Sequence, residues 1–370
     1  MSKYKILTVA GTRPELIRLS RIIPSLDKCF KNILVYTNQN FDKNLSKIFF
    51  DDLTIRKPNY FFKSKNINSS KLLGSVFEKI EKIINKEKPD AFFVLGDTNS
   101  ALAAIIAKKN KVPIFHFEAG NRCYDENVPE EINRKIVDHI SDVNITYSDN
   151  SKQNLIREGK NPEFIFKIGS PMFEVLTFYE QRIKNSKILK KLSLKKGEFI
   201  VVSTHRQENL DKTKQFYKFI EKIFFIAKKI NKKIVFSTHP RVQKLLKNSK
   251  ILGKKNVFLN PLNFTDYNCL QQNSYLVLSD SGTINEESAI LKFDAINLRD
   301  NHERHEAMEN TVSIMTGYDD VRIMNAINIL KSTKNDVNLH DYKVKDISSK
   351  VVRIIQSYVS KINKKIYYKS

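Results

Sequence analysis

Cysteine is scarce in this 370-residue chain: Cys29, Cys123 and Cys269 are odd in number and far apart. That argues against a disulfide framework and fits a reducing compartment. No Cys-x-x-Cys occurs. His302 and His305 flank a Glu-Arg pair, without the His-Glu-x-x-His spacing of a zinc protease, so no metal site is expected. No apolar run reaches the length that spans a bilayer. The first ten residues hold too short an apolar stretch for a secretory signal, and they run straight into a structured turn. A cytoplasmic protein with no membrane partner is expected. Gly-x-Gly-x-x-Gly and the Walker P-loop are also missing, so a dinucleotide cofactor has no support. No internal repeat at periods of roughly 20–50 residues is visible.

What is abundant is positive charge, with a formal net value of +24. Nucleic-acid binding is the obvious reading of that excess. The positive residues are mostly Lys, however, and they are scattered along helices and loops. No basic stripe is interleaved with stacking aromatics. Abundant Lys, Asn, Ile and Phe match a codon usage biased toward A and T. The charge therefore reads as a solvated surface, compatible with an anionic small substrate. A basic nucleic-acid binder is the rival reading; salt-sensitive DNA or RNA binding would support it, and little is expected.

The 41% hydrophobic content is enough for two cores. Strands are predicted at Lys5–Ala10, Ile33–Thr37, Ala91–Leu95, Pro113–Phe117, Val143–Thr146 and Phe164–Ile168. Amphipathic helices fall between them, including Leu72–Asn85, Ser100–Lys109 and Glu130–Ile140. The pattern restarts near residue 195, with strands at Phe199–Ser203, Lys233–Ser237, Val257–Leu259, Tyr275–Leu278, Ala295–Leu298 and Val312–Met315. Helices at Lys214–Ile230, Gly282–Leu291 and Val321–Lys331 separate these. Lys184–Lys196 reads as a connector, and Asp346–Ile362 as a closing helix. Strands spaced by helices imply a parallel sheet covered on both faces. The expected fold is α/β, with two doubly wound Rossmann-like domains at 1–185 and 186–345. A tail at 346–370 is expected to pack back across them. Ligands of such sheets bind at the C-terminal ends of strands, and a cleft between the domains is the expected place.

Candidate chemistry clusters at those strand ends. Gly11-Thr12-Arg13-Pro14-Glu15 follows the first strand, with Pro14 suited to a first helical turn and Arg13 beside a helix N-terminus. Arg18 lies further along that helix; a plain turn with a solvated Arg is the bland alternative. Asp97, after Gly96, suits either a helix N-cap or acid–base work. Glu118-Ala119-Gly120 closes the next strand, where an acidic residue is hard to explain by packing. Pro129-Glu130-Glu131 opens a helix whose dipole favours carboxylates, although Glu130 and Arg134 also have the spacing of a surface ion pair. Asp97, Glu118 and Glu130 are thus expected at one strand-end face. His205 and Arg206 suit an anionic ligand, while a buried histidine is the alternative; Thr238-His239-Pro240-Arg241 is a weaker echo. Ser281, Gly282 and Thr283 offer hydroxyls and N–H groups to a diphosphate, Glu287 an acceptor for ribose hydroxyls, and Arg304 a further cation.

Gly11-Thr12-Arg13-Pro14-Glu15, Gly96-Asp97-Thr98, Glu118-Ala119-Gly120, Pro129-Glu130-Glu131-Ile132-Asn133-Arg134, His205-Arg206, Asp280-Ser281-Gly282 and Glu303-Arg304 occur in one order along the chain. In this the chain resembles the non-hydrolysing UDP-N-acetylglucosamine 2-epimerases over nearly its whole length. The resemblance implies the GT-B architecture, a homodimer, a UDP-sugar substrate, and no metal or nicotinamide cofactor. It also implies roles: Asp97, Glu118 and Glu130 as acid–base carboxylates, and His205 as an active-site histidine near the diphosphate. Arg13, Ser281, Gly282, Glu287 and Arg304 match UDP-binding positions, and Phe264 an aromatic beside uracil. Arg18, Arg122, Arg134, Arg206 and Thr283 complete the expected substrate-binding set. Gln207, Thr283 and His305 depart from the usual Arg, Gly and Pro. The segment Asn121–Val128 also departs, and there the chain resembles the branch that makes UDP-N-acetyl-L-fucosamine for capsule and O-antigen. That branch implies UDP-2-acetamido-2,6-dideoxy-L-talose as substrate. The rivals are the same chemistry on UDP-N-acetylglucosamine, which would give UDP-N-acetylmannosamine, and a GT-B glycosyltransferase, against which three carboxylates argue.

Overall fold

The computed structural model describes residues 3–39, 43–62, 69–204, 213–237, 257–259, 262–333 and 339–369. They form two compact units, Met1–Thr177 with His340–Ser370, and Phe178–Leu339. The boundaries thus fall at 177 and 339, ahead of the expected 185 and 345. The first lies inside the helix Met172–Lys184. Nor is the Lys-rich stretch after it a bare connector. It carries a short helix, Ile188–Lys191, and Ser186 Oγ donates to Asp266 at 2.5 Å.

The first unit holds a seven-stranded sheet in the order β3-β2-β1-β4-β5-β6-β7. Its strands are β1 (Lys5–Ala10), β2 (Lys31–Tyr36), β3 (Tyr60–Phe61), β4 (Ala91–Leu95), β5 (Ile114–Phe117), β6 (Val143–Thr146) and β7 (Ile165–Lys167). All pair in parallel. β4 is buried at every position, because helices cover both faces of a parallel sheet. Leu7, Val9, Val35, Phe92, Val94 and Ile114 form one core with Ile80 and Ile83 of the helix Ser69–Glu87. Burying each such side chain contributes about 1.5–3 kcal/mol. The strand at Tyr60–Phe61 was not foreseen; two residues are too few to show a period.

The second unit has a six-stranded parallel sheet in the order β10-β9-β8-β11-β12-β13. Its strands are β8 (Phe199–Ser203), β9 (Lys233–Ser237), β10 (Val257–Leu259), β11 (Leu276–Ser279), β12 (Ala295–Asn297) and β13 (Ile314–Met315). Ile200, Val202, Ile234, Leu278 and Ile296 pack with Ile220 and Ile223 of the helix Thr213–Lys229. The closing helix, Ile347–Lys365, belongs to the first unit, where Glu174 accepts from both the Ser348 amide and its hydroxyl. Among the described residues, no helix is long and apolar enough to cross a membrane.

Both sheets change strand direction of addition in the middle: between β1 and β4 in the first, and between β8 and β11 in the second. Ligands of doubly wound sheets bind outside the carboxyl ends of strands at such a switch point. The first-unit motifs follow β1, β4 or β5, or open the helix after β5; along the sequence those of the second unit come after β8, β9, β11 and β12.

Candidate active site

In the first unit the chain leaves β5 through Glu118, whose φ is +70°. A non-glycine residue in the left-handed region is strained, by about 1–3 kcal/mol, and persists only where its surroundings over-determine it. The turn places the Glu118 carboxylate above the end of β4, since a Cβ on Gly96 would lie 3.6 Å from its Oε2. Arg18 NH1 stands 3.5 Å from that same oxygen, and the buried Tyr147 hydroxyl donates to it at 3.3 Å. Gly120 follows with φ +80°. Any Cβ there would meet the Ser151 carbonyl oxygen at 2.1 Å, so only glycine fits.

Asp97 leaves β4 one strand away. Arg134 grips its Oδ2 through Nε at 3.0 Å and NH2 at 2.6 Å, and Asn133 Nδ2 donates to its backbone carbonyl at 2.9 Å. The N-cap alternative for Asp97 is therefore not what the structure shows. Asp97 keeps 23% of its side chain exposed, while Arg134 keeps only 2%. Arg134 also donates to Glu131 at 2.8 Å, the ion pair that the sequence had suggested for Glu130. Glu131 is fully buried and accepts from the Cys123 amide at 3.0 Å; Glu130 is half-buried at the same helix start. Proline at the first position and two acidic residues in the first turn start this helix, Pro129–Ile140, as expected.

Arg122 is a correction. Expected to touch substrate, it is fully buried. Its guanidinium donates to Asp138 at 2.7 Å and to Glu158 at 2.7 and 2.5 Å. Burial works against its charge, but Glu158 and Asp138 outweigh that and raise its pKa. Arg134, as the partner of Asp97, likewise acts on a carboxylate of this chain. Arg13 is partly exposed, with its guanidinium 5.1 Å from the centre of the Phe49 ring.

In the second unit β11 ends in Ser279, and the helix Ile284–Leu291 begins two residues later than predicted. Ser281 Oγ and Thr283 Oγ1 lie 2.9 Å apart, and Thr283 donates to Glu287 Oε1 at 2.8 Å. Gln271 donates to the other oxygen of Glu287 at 2.7 Å, so this carboxylate is held on both sides. Arg299, which the sequence reading passed over, donates to the Asp280 carbonyl at 2.6 Å and stands 3.4 Å from where a Gly282 Cβ would be. Arg304 is 3% exposed, with NH2 3.5 Å from Glu286. Phe264 is 3% exposed and packs edge-on against Tyr179 at 5.6 Å, so a base could meet only the little of its ring that is left open. His205, Arg206, Gln207 and the segment from Thr238 to Arg241 lie outside the described residues.

Sequence reasoning missed Glu15, His116, Glu131, Asp138, Tyr147 and Glu158. One signal was available: Glu131, Arg134 and Asp138 are spaced i, i+3, i+7, so three charged residues share a helix face with Val137 close by. A charged stripe on the buried face of a helix has to be paired.

Two doubly wound parallel sheets, with carboxylates at adjacent strand ends of one and a hydroxyl-rich strand-to-helix turn in the other, define a GT-B-like α/β enzyme. Residues 25–356 match the family described as UDP-N-acetylglucosamine 2-epimerase, and the chain belongs to it; it is an isomerase, a UDP-sugar 2-epimerase. The structure of UDP-N-acetylglucosamine 2-epimerase from Rickettsia bellii is similar at 44% identity, with a TM-score of 0.91 over 99% of this chain and 100% of that one. That of the Methanocaldococcus jannaschii enzyme, in complex with UDP-GlcNAc and UDP, is similar at 33% identity and a TM-score of 0.89, covering 95% and 99%. A Pseudomonas aeruginosa UDP-2,3-diacetamido-2,3-dideoxy-D-glucuronate 2-epimerase is 32% identical over 85% of this chain and 88% of its own length.

Proposed function

We propose that this enzyme inverts C2 of a UDP-2-acetamido-2,6-dideoxy sugar, converting the L-talo form to UDP-N-acetyl-L-fucosamine for a surface polysaccharide. The observation that carries the chemistry is the pair of carboxylates at adjacent strand ends: Asp97, gripped by Arg134, and Glu118, strained over Gly96. The C2 hydrogen is not alpha to a carbonyl, so direct deprotonation at neutral pH is ruled out. The C1–O bond breaks first, and its electron pair leaves with UDP. Cationic character at C1 acidifies the C2 hydrogen, a carboxylate takes that proton, and C1=C2 forms, giving a 2-acetamidoglycal. A proton then reaches C2 from the opposite face, and a phosphate oxygen of UDP attacks C1. Two faces need acid–base groups on both sides, which is a use for Asp97, Glu118 and Glu130 together. Ser281, Gly282, Thr283 and Arg304, with His205, hold the charge of the departing UDP. The reading includes a homodimer that needs no added cofactor.

The choice of sugar rests on the segment from Asn121 to Val128. It is held stiffly: Asn121 accepts from Ser151 at 2.8 Å, the Cys123 and Tyr124 amides donate to Glu131, and Asp125 closes a turn on Asn127. A fixed segment between the acid–base residues is suited to select among sugars. UDP-N-acetylglucosamine is the second reading, favoured by the complex of the Methanocaldococcus relative.

The test offers both nucleotide sugars to the purified enzyme in deuterated water and follows C2 by NMR. Faster inversion of the talo sugar, with deuterium at C2 of the product, is expected. Preference for UDP-N-acetylglucosamine overturns the sugar; product without deuterium, and no UDP or glycal on long incubation, overturns the elimination route.

A further inference from the structure

A buried chain of charges runs beneath the two carboxylate-bearing strand ends and touches both. Asp138 is fully buried in the helix Pro129–Ile140. Its two oxygens accept from the Gly120 amide at 3.2 and 3.1 Å. Arg122 donates to Oδ2 at 2.7 Å, and His116 Nδ1 lies 2.9 Å from Oδ1. The other nitrogen of His116, Nε2, lies 2.8 Å from the carbonyl oxygen of Gly96, the residue before Asp97. Nε2 must donate there, because a carbonyl only accepts. The ring thus stands between Asp138 and the end of β4.

We infer that Asp138 is a positioning residue: its carboxylate, braced by Arg122 and His116, pins Gly120 and so holds Glu118 in its left-handed conformation, in fixed register with Asp97. The inference rests on the reading of Glu118 and Asp97 as acid–base residues. The geometry supports it from three directions. Glu118 is strained, and its φ survives only if the next residues are tied down. Gly120 is tied by Asp138 at its amide and by Asn154, which donates to its carbonyl at 3.0 Å. The helix that carries Asp138 also carries Arg134 and Asn133, which hold the side chain and carbonyl of Asp97. One helix therefore sets the spacing of both carboxylates. Burial would push the Asp138 carboxyl up, but His116 and Arg122 outweigh it and keep it ionised, below the usual carboxylate range. A proton cannot be moved at C2 by a carboxylate that is misplaced by even an ångström or so without a rate loss on the order of 100-fold.

The experiment compares Asp138→Asn with wild type. Asn can still accept from Gly120 but gives Arg122 and His116 no charge. The expected result is a fall in kcat of about 100-fold, with KM and UDP affinity within about threefold of wild type. A larger share of released UDP and glycal per epimerised product is also expected, because the return proton is delivered late. A merely structural residue would lower the denaturation midpoint and leave kcat per folded molecule and that partition unchanged, and this outcome overturns the inference. A matched loss of kcat and UDP affinity overturns it too. If Asp138→Asn does not accumulate folded, His116→Gln is read in its place; it can keep a donor for Gly96 and loses the contact with Asp138, and a kcat fall of about tenfold at unchanged KM is expected, with unchanged kcat overturning the inference. Wild-type enzyme that exchanges no hydrogen at C2 of either UDP-sugar defeats the function above; active wild type with an equally active folded variant defeats only this inference.

Discussion

The strand ends of the two units are built differently. In the first, Arg122, Arg134, Glu131 and Asp138 are each at most 2% exposed, and all are paired. In the second, the turn after β11 has the hydroxyls of Ser281 and Thr283, Gly282 and one buried carboxylate, Asp280, with Arg299 and Arg304 at its edge. Moving a proton at carbon needs a carboxylate fixed in position and field, and buried ion pairs give that rigidity even where they add little net stability. Holding a diphosphate needs many weak donors around a spread charge, and small residues let the backbone come close. On the function proposed above, the first unit carries the chemistry and the second the binding, and the two should fail separately.

The largest effect should come from Asp97→Asn. Turnover is expected to drop by about 10²–10⁴-fold, while UDP affinity measured by calorimetry stays unchanged. Near-normal turnover would remove Asp97 from the site, and an equal loss of UDP affinity would break the division of labour. Next, Arg122→Met leaves Asp138 and Glu158 without their guanidinium, and about 3–5 kcal/mol of unfolding free energy should be lost in denaturant titration. A loss below about 1 kcal/mol, the level of an exposed pair, would show that the charges are not what braces the first unit.

A third test uses pH. Burial pushes the Glu15 carboxyl up to about 7 from its ordinary 4.5, against hydrogen bonds from Thr98, Gly11 and Thr12. Between those values the folded chain holds a proton that the unfolded chain releases. The stability this contributes is full below about pH 4.5 and is lost as pH rises toward 7, by about 3 kcal/mol in total. Wild type should therefore lose stability across that window relative to Glu15→Gln; parallel curves would show that Glu15 does not titrate there. The smallest effect is expected for Thr283→Val, which removes the donor to Glu287 Oε1: about 1 kcal/mol of stability and a several-fold weaker UDP complex by calorimetry, with turnover of bound substrate intact. A large fall in that turnover would put chemistry in the second unit as well.

Much of the fold was legible before any coordinates. Ala91–Leu95, Val143–Thr146, Phe199–Ser203, Lys233–Ser237 and Val257–Leu259 are strands at the residues predicted. Strands buried on both faces read as continuous apolar runs, a signal carried within five or six residues. The strand-end positions of Asp97 and Glu118 were legible because polar residues stood where such runs stop. Arg122 was misread: an arginine in a polar loop looks solvent-facing until Glu158, 36 residues away, is brought against it. His116 was passed over inside an apolar strand, since a strand's alternation does not show what lies beneath it.

The sequence by itself determined the order of strands and helices along the chain, the strand ends that carry the motifs, and the family, because these follow from local burial patterns and short motifs. Only the tertiary structure decided the pairings: Arg134 with Asp97 and Glu131, Arg122 with Asp138, and the left-handed turn at Glu118. Buried charges must be matched through space, and which partner lies within 3 Å depends on how the helix Pro129–Ile140 docks against β4 and β5, a choice that spacing along the chain does not contain.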